Sequence, residues 1–228
     1  MRTRICDTVD GNPHSQESRI EMSTRLEVKR SLKRLRAAPS FNMPVTHTVR
    51  ATTRLLGLTN EFAVKHLPHV GVTKMALPGG RRAALWSRGD DWVSNQVFWR
   101  GWDGYEPEVT RLFWRLATGA SVTLDIGAHV GFYTILAAKA NATAAVFAFE
   151  PLAAVFERLQ RNLQLNGLDT VVAVQKAAGA TDGVAEFFHQ PGIIPCSSSL
   201  SGEFMRGAEG VESVPVQVVR IDSFAREH

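Results

Sequence analysis

Apolar residues change rhythm along the chain, and the changes mark its elements. Val122-Thr123-Leu124-Asp125-Ile126, residues 144–149 and residues 171–174 are short apolar runs of strand length bounded by turn residues. Between the first two lies a small-residue helix over 131–140. Between the second and third, Leu152, Val155, Phe156, Leu159 and Leu163 recur at helical spacing, opened by Pro151 and closed by Asn166-Gly167. This β-α-β-α-β order predicts right-handed crossovers and a parallel sheet. Residues 184–189 and 214–221 alternate with period two and predict two further strands, separated by a Gly/Ser-rich loop over 191–210.

Upstream, the aromatic and β-branched stretches 84–87 and 92–99 flank Gly89-Asp90 and read as a pair of strands, or as one strand followed by an irregular segment. Gly101-Trp102-Asp103-Gly104 is a turn cluster. A helix is predicted over 106–116, with Pro107 near its start, Val109, Leu112, Phe113 and Leu116 as its apolar face, and Gly119 as its close. The domain reading is therefore a basic extension over 1–60, partly disordered or helical, lead-in strands and a helix over 61–120, and a ligand-binding domain over 121–228.

Composition narrows the class. Of 228 residues, 44% are hydrophobic and 21% charged, enough apolar content for a core and too much for a disordered chain. No run reaches the length of a membrane span, and no apolar block follows the basic N-terminus as in a secretory signal. Cys6 and Cys196 make neither a metal-spaced pair nor a disulfide framework, so a reducing, cytoplasmic setting is expected. The formal charge of +4 hides an asymmetry: residues 1–60 carry 11 basic and 5 acidic residues, leaving the rest at 15 and 17. Lys29, Arg30, Lys33, Arg34 and Arg36 could meet an anionic surface, although such runs usually stay solvated. The near-neutral body gives no reason to expect a nucleic-acid partner.

The chemistry concentrates where the first strand enters Gly127-Ala128-His129-Val130-Gly131. Gly127 and Gly131 let the backbone turn sharply and a ligand come close, and the following helix start offers free N–H groups. Asp125 stands at the carboxyl end of the first strand, where such sheets bind ligands. A pyrophosphate would be repelled there, whereas an ammonium or sulfonium would be attracted. Glu150 ends the second strand, where a carboxylate accepts from ribose hydroxyls. A nucleoside with a cationic, phosphate-free tail suits both, and S-adenosylmethionine is such a molecule. Read as structure alone, Asp125 is an N-cap and Glu150 a first-turn acid.

Tyr105-Glu106-Pro107-Glu108-Val109-Thr110 and the run from Leu124 to Thr134 resemble the FkbM-type S-adenosylmethionine-dependent methyltransferases. So do Phe149-Glu150-Pro151, Asn162-Leu163-Gln164-Leu165-Asn166, Ala177-Ala178-Gly179, Ser197-Ser198-Ser199-Leu200 and Val219-Arg220-Ile221-Asp222, in order over residues 84–226. The resemblance implies an α/β, class I methyltransferase fold, a Rossmann-like three-layer sandwich. It also implies methyl transfer, usually to a hydroxyl of a small molecule or saccharide. Carried over, Asp125, Gly127, Ala128, His129 and Gly131 line the methionine end of the cofactor site. Glu150 with Pro151 holds the ribose, and Tyr105 and Glu106 either close over the cofactor or cap the 106–116 helix. His129 stands where the family often has Asn and is a weak candidate for the catalytic base.

The family continues past a Val219–Asp222-like segment into a Lys-Ile-Asp-Val-Glu-Gly-like strand beside the first. Incompleteness at the C-terminus is therefore expected, with one edge of the Val122–Ile126 strand left open and apolar. Two rival readings stay open: a non-catalytic remnant that binds the nucleoside or a partner, and an NAD-dependent oxidoreductase domain, which Asp125 disfavours. His66 and His69 are too few for a metal site, and none is expected. The acceptor and the oligomeric state are not readable.

Overall fold

The computed structural model describes residues 38–58, 61–190, 194, 198–203, 205, 207 and 210–227. The basic run Lys29–Arg36, Cys6 and Cys196 lie outside them. Helices α1 (Pro39–Leu55) and α2 (Glu61–His66) lead to an antiparallel hairpin of β1 (Val70–Ala76) and β2 (Arg82–Arg88). Helices α3 (Trp92–Arg100) and α4 (Pro107–Gly119) follow. Then come β3 (Val122–Ile126), α5 (Phe132–Ala140), β4 (Ala145–Phe149), α6 (Ala153–Leu165) and β5 (Val172–Val174). The chain continues through β6 (Ala177–Ala178), β7 (Gly183–His189), β8 (Ser198–Ser199), β9 (Glu212–Val219) and α7 (Ile221–Glu227).

Strands β3, β4 and β5 form the parallel sheet that the alternation predicts, in the order β3-β4-β5. The later strands form a second sheet, β6-β9-β7-β8, in which β7 and β9 pair antiparallel. Because side chains alternate across a strand, β4 has two lives. Val146 and Ala148 join the main core under α5, while Phe147 and Phe149 face Phe224 of α7. Helices thus cover both faces of the parallel sheet, giving three layers. On the α7 side the cover stops short of β3. Val122, Leu124 and Ile126 are 52%, 38% and 55% exposed, and β3 is the edge strand of its sheet, as expected.

The hairpin docks on α6 through side-chain amides. Trp86 N–H donates to Asn162 Oδ1, and Asn166 exchanges two hydrogen bonds with Ala84, accepting from its N–H and donating to its carbonyl, all at 2.7–2.8 Å. The two carboxamides, one helical turn apart, stand in for the peptide groups of a neighbouring strand.

Two upstream expectations need correcting. Residues 92–99 are helix α3, not strand: Asp91 accepts the Ser94 N–H at 2.7 Å as an N-cap. Every residue from Val93 to Trp99 is buried, so packing from all sides overrides β propensity. Helix α4 runs from Pro107 to Gly119 and is turned relative to its apolar pattern. Its buried residues are Thr110, Trp114 and Ala117, while Val109, Leu112 and Leu116 are exposed. The Thr110 hydroxyl donates to Tyr105 O at 2.7 Å and sits 3.3 Å from Tyr133 Oη, which sets that rotation. Strand β1 and helices α1 and α2 carried no clear periodic signal. Among the described residues no helix is long and apolar enough to cross a membrane.

Candidate active site

The β3–α5 loop is built by backbone conformations that few residues accept. Gly127 and Gly131 have φ of +80° and +88°, and His129 between them has φ of +52°. The left-handed region tolerates Asn and His better than most non-glycine residues, which accounts for His at a position where Asn is common in the resembling family. The N–H groups of Gly127 and Ala128 both donate to Phe149 O at 2.9 Å, so the loop is sewn to the end of β4. From below, Asn162 of α6 donates to Val130 O at 2.8 Å. A Cβ on Gly131 would lie 2.6 Å from Leu159 Cδ1, so α6 packs against the loop at the glycine itself.

A cavity of about 230 Å³ opens above this loop at the carboxyl ends of β3 and β4. Of the residues singled out in the sequence, Tyr105, Asp125, Gly127, Ala128, His129, Glu150 and Pro151 line it. Gly131 lies beneath the loop at the start of α5. Glu106 is not among the lining residues, but its carboxylate accepts from Oη of Tyr133, which is one of them, at 3.0 Å. The remaining wall is Val93, Phe132, Tyr133, Phe187 and Ser198. Val93 and Phe187 escaped notice because each sits in a stretch that read only as core or strand. Gln175 and Lys176, which follow β5, are not part of the lining.

Two carboxylates dominate the electrostatics. Thr134 donates its hydroxyl to Asp125 Oδ2, yet burial still pushes the Asp125 carboxyl above its ordinary range. Glu150 is 6% exposed, and its two oxygens accept the N–H groups of Leu152 at 2.9 Å and His129 at 3.0 Å. Those bonds favour the anion, but burial outweighs them and lifts Glu150 from 4.5 to about 7. The Tyr133 hydroxyl, pushed up to about 12 by burial, stays a donor. Among the described residues neither Asp125 nor Glu150 has a Lys or Arg partner, and no Lys or Arg lines the cavity. The cavity therefore favours a ligand that brings positive charge and hydroxyl donors.

Residues 125–228 match the methyltransferase FkbM domain. This part of the chain is similar to the FkbM-type methyltransferase domain. The matched region of the FkbM-type domain begins at Asp125, within β3, and takes in the glycine loop and Glu150. No curated protein matches the chain. Among solved structures, M. jannaschii TYW2 in complex with AdoMet is 22% identical over 46% of this chain, with a TM-score of 0.29. P. horikoshii TYW2 in complex with MeSAdo is 14% identical over 64% of it, with a TM-score of 0.31. The chain spans 43% of the first structure and 70% of the second.

The other sequence candidates lie elsewhere. His69 is buried, stacked on Phe98 with ring centroids 3.7 Å apart, and its Nδ1 is 3.0 Å from Thr46 Oγ1. Burial holds it down at about 4, so it is neutral. His66 packs beside Phe62 instead. Trp99 and Trp114 are core residues.

Proposed function

We propose that the FkbM-type domain binds S-adenosylmethionine in the 230 Å³ cavity and supports transfer of its methyl group to a hydroxyl of a small molecule or saccharide. One observation carries the reading: the half-buried Asp125 and the buried Glu150 share the cavity with no Lys or Arg among its described lining residues. A bound dinucleotide would bring its pyrophosphate against that negative pair, which disfavours the oxidoreductase reading. A sulfonium and an ammonium meet it favourably, and a ribose diol can donate to the lone pairs of Glu150 that Leu152 and His129 leave over.

When bound, the cofactor supplies an electrophilic methyl on positively charged sulfur. Asp125 orients the cationic end, with Thr134 fixing the carboxylate that does so. Glu150 fixes the nucleoside end, itself held by two backbone N–H groups. Tyr105 and Phe132 supply an apolar wall that keeps water from the reacting atoms. The acceptor hydroxyl gives up its proton as its oxygen takes the methyl, and His129 is the ring nitrogen base that lines the cavity. The expected setting is the cytoplasm, with no nucleic-acid partner.

A second reading, binding without turnover, is favoured by β3 itself, an edge strand whose Val122, Leu124 and Ile126 are exposed. Calorimetric titration with S-adenosylmethionine, with NAD as control, separates the possibilities. Asp125→Asn and Glu150→Gln should each weaken binding by about 1–3 kcal/mol. Unchanged affinity in both variants sinks the site. Binding without methyl transfer to any hydroxyl acceptor supports the second reading, and preference for NAD revives the oxidoreductase.

A further inference from the structure

A second cleft of about 310 Å³ lies between β2 and α6, separate from the cofactor cavity but bordering the same stretches, 90–93 and 151–154. Its centre is an indole ringed by guanidiniums. The guanidinium carbon of Arg161 is 3.4 Å from the Trp86 ring centroid, that of Arg158 4.7 Å and that of Arg88 5.4 Å. Three arginines on one tryptophan repel each other, so the question is which of them are neutralised.

Arg158 is. Its side chain is 5% exposed, and both terminal nitrogens reach the Asp90 oxygens at 3.0 Å, with Asp91 Oδ2 at 3.7 Å behind. Asp91 is further committed to the Ser87 hydroxyl and the Ser94 N–H. Arg88 and Arg161 have no carboxylate partner among the described residues. Glu157 precedes Arg161 by one helical turn, the spacing at which helix ion pairs form, yet Arg161 lies over Trp86 instead. Among the residues that line the cleft, two guanidiniums and the Glu157 carboxylate have no ion-pair partner among the described residues. Stacking holds the plane of Arg161 while leaving its edge N–H groups free for an oxyanion. A carboxylate fills one such fork, whereas a phosphate has enough oxygens for two.

We propose that this cleft binds the phosphate group of a small phosphorylated molecule, between Arg88 and Arg161 at the edge of Trp86. The site does not depend on the methyltransferase reading and is tested by binding alone. The probes are glucose 6-phosphate, inorganic phosphate and, as neutral control, glucose, titrated by NMR or calorimetry at about 0.15 M salt. The expected result is saturable binding of a phosphate probe with Kd near or below about 1 mM and none of glucose. Arg88→Gln/Arg161→Gln should weaken it at least about tenfold. Arg161→Lys, which keeps the charge and loses the planar fork, should weaken it less but measurably. Arg220→Gln, on the exposed segment before α7, should leave it unchanged. Tighter binding of glucose 6-phosphate than of phosphate assigns a phosphorylated molecule as the source, and equal binding assigns the free anion; both support the site. Absence of saturation by either phosphate probe, equal affinity in the folded double variant, or an equal loss in Arg220→Gln would overturn it.

Discussion

Glu150→Gln tests whether the site is built at the expense of stability. Burial raises Glu150 from 4.5 to about 7 in the folded chain. A carboxyl whose folded pKa is raised stabilises the fold fully below the unfolded value and loses that contribution as pH rises through the folded one. At about 1.36 kcal/mol per pKa unit, the shift amounts to roughly 3 kcal/mol in all, of which about 2.5 kcal/mol is lost between pH 5 and pH 8. Gln cannot ionise and escapes that loss. It also leaves one of the two backbone N–H groups, Leu152 or His129, without an acceptor, at about 1–3 kcal/mol. That penalty is the same at every pH, so it shifts the curve without tilting it. Urea denaturation of both proteins from pH 5 to pH 8 therefore has a definite expected outcome. The stability of the variant minus that of the wild type should climb by about 2.5 kcal/mol with rising pH, whatever its starting value. Parallel profiles within about 0.5 kcal/mol would refute the claim that Glu150 is held ionisable against its own burial.

Three further outcomes follow from the same site. Since the ribose diol needs the Glu150 anion, S-adenosylmethionine affinity in the wild type should fall about tenfold between pH 8 and pH 6, with no such fall in Glu150→Gln; calorimetry at both pH values checks it. Gly131→Ala combines a φ of +88° with a Cβ 2.6 Å from Leu159 Cδ1, and should cost about 2–4 kcal/mol, read as a lower melting temperature. Asn162→Ala leaves the Trp86 N–H and the Val130 carbonyl without their partner, and should cost about 2–4 kcal/mol by denaturant titration.

The β-α-β-α-β unit was legible because its strands and helices are short, alternate strictly and are punctuated by Pro151, Asn166 and Gly167, so local pattern and tertiary role agree. The paired carboxylates were legible for a related reason: a charged residue ending an apolar strand has few structural uses. The lead-in region was harder. Helix α3 is buried on all sides, which erases the periodicity that marks an amphipathic helix, and its aromatic content imitates a strand. Helix α4 has a strong apolar stripe, but Thr110, tied to Tyr105 and Tyr133, turns that stripe outward. Val93 and Phe187 reach the cavity from elements far apart in sequence, and nothing local distinguishes them from other core residues. The Trp86 cleft was invisible for the same reason, since it forms only when β2 meets α6.

The asparagines that join β2 to α6 have a consequence for how the molecule breathes. Ala84 and Trp86 lie in a two-stranded hairpin, but their amide hydrogens are held by side chains of a helix that also supports the Gly127–Gly131 loop. They should exchange with solvent only when α6 lifts away, not when the hairpin frays. Their deuterium uptake then becomes a remote gauge of the loop, slowing when a ligand clamps the sheet end even though neither residue lines the cofactor cavity.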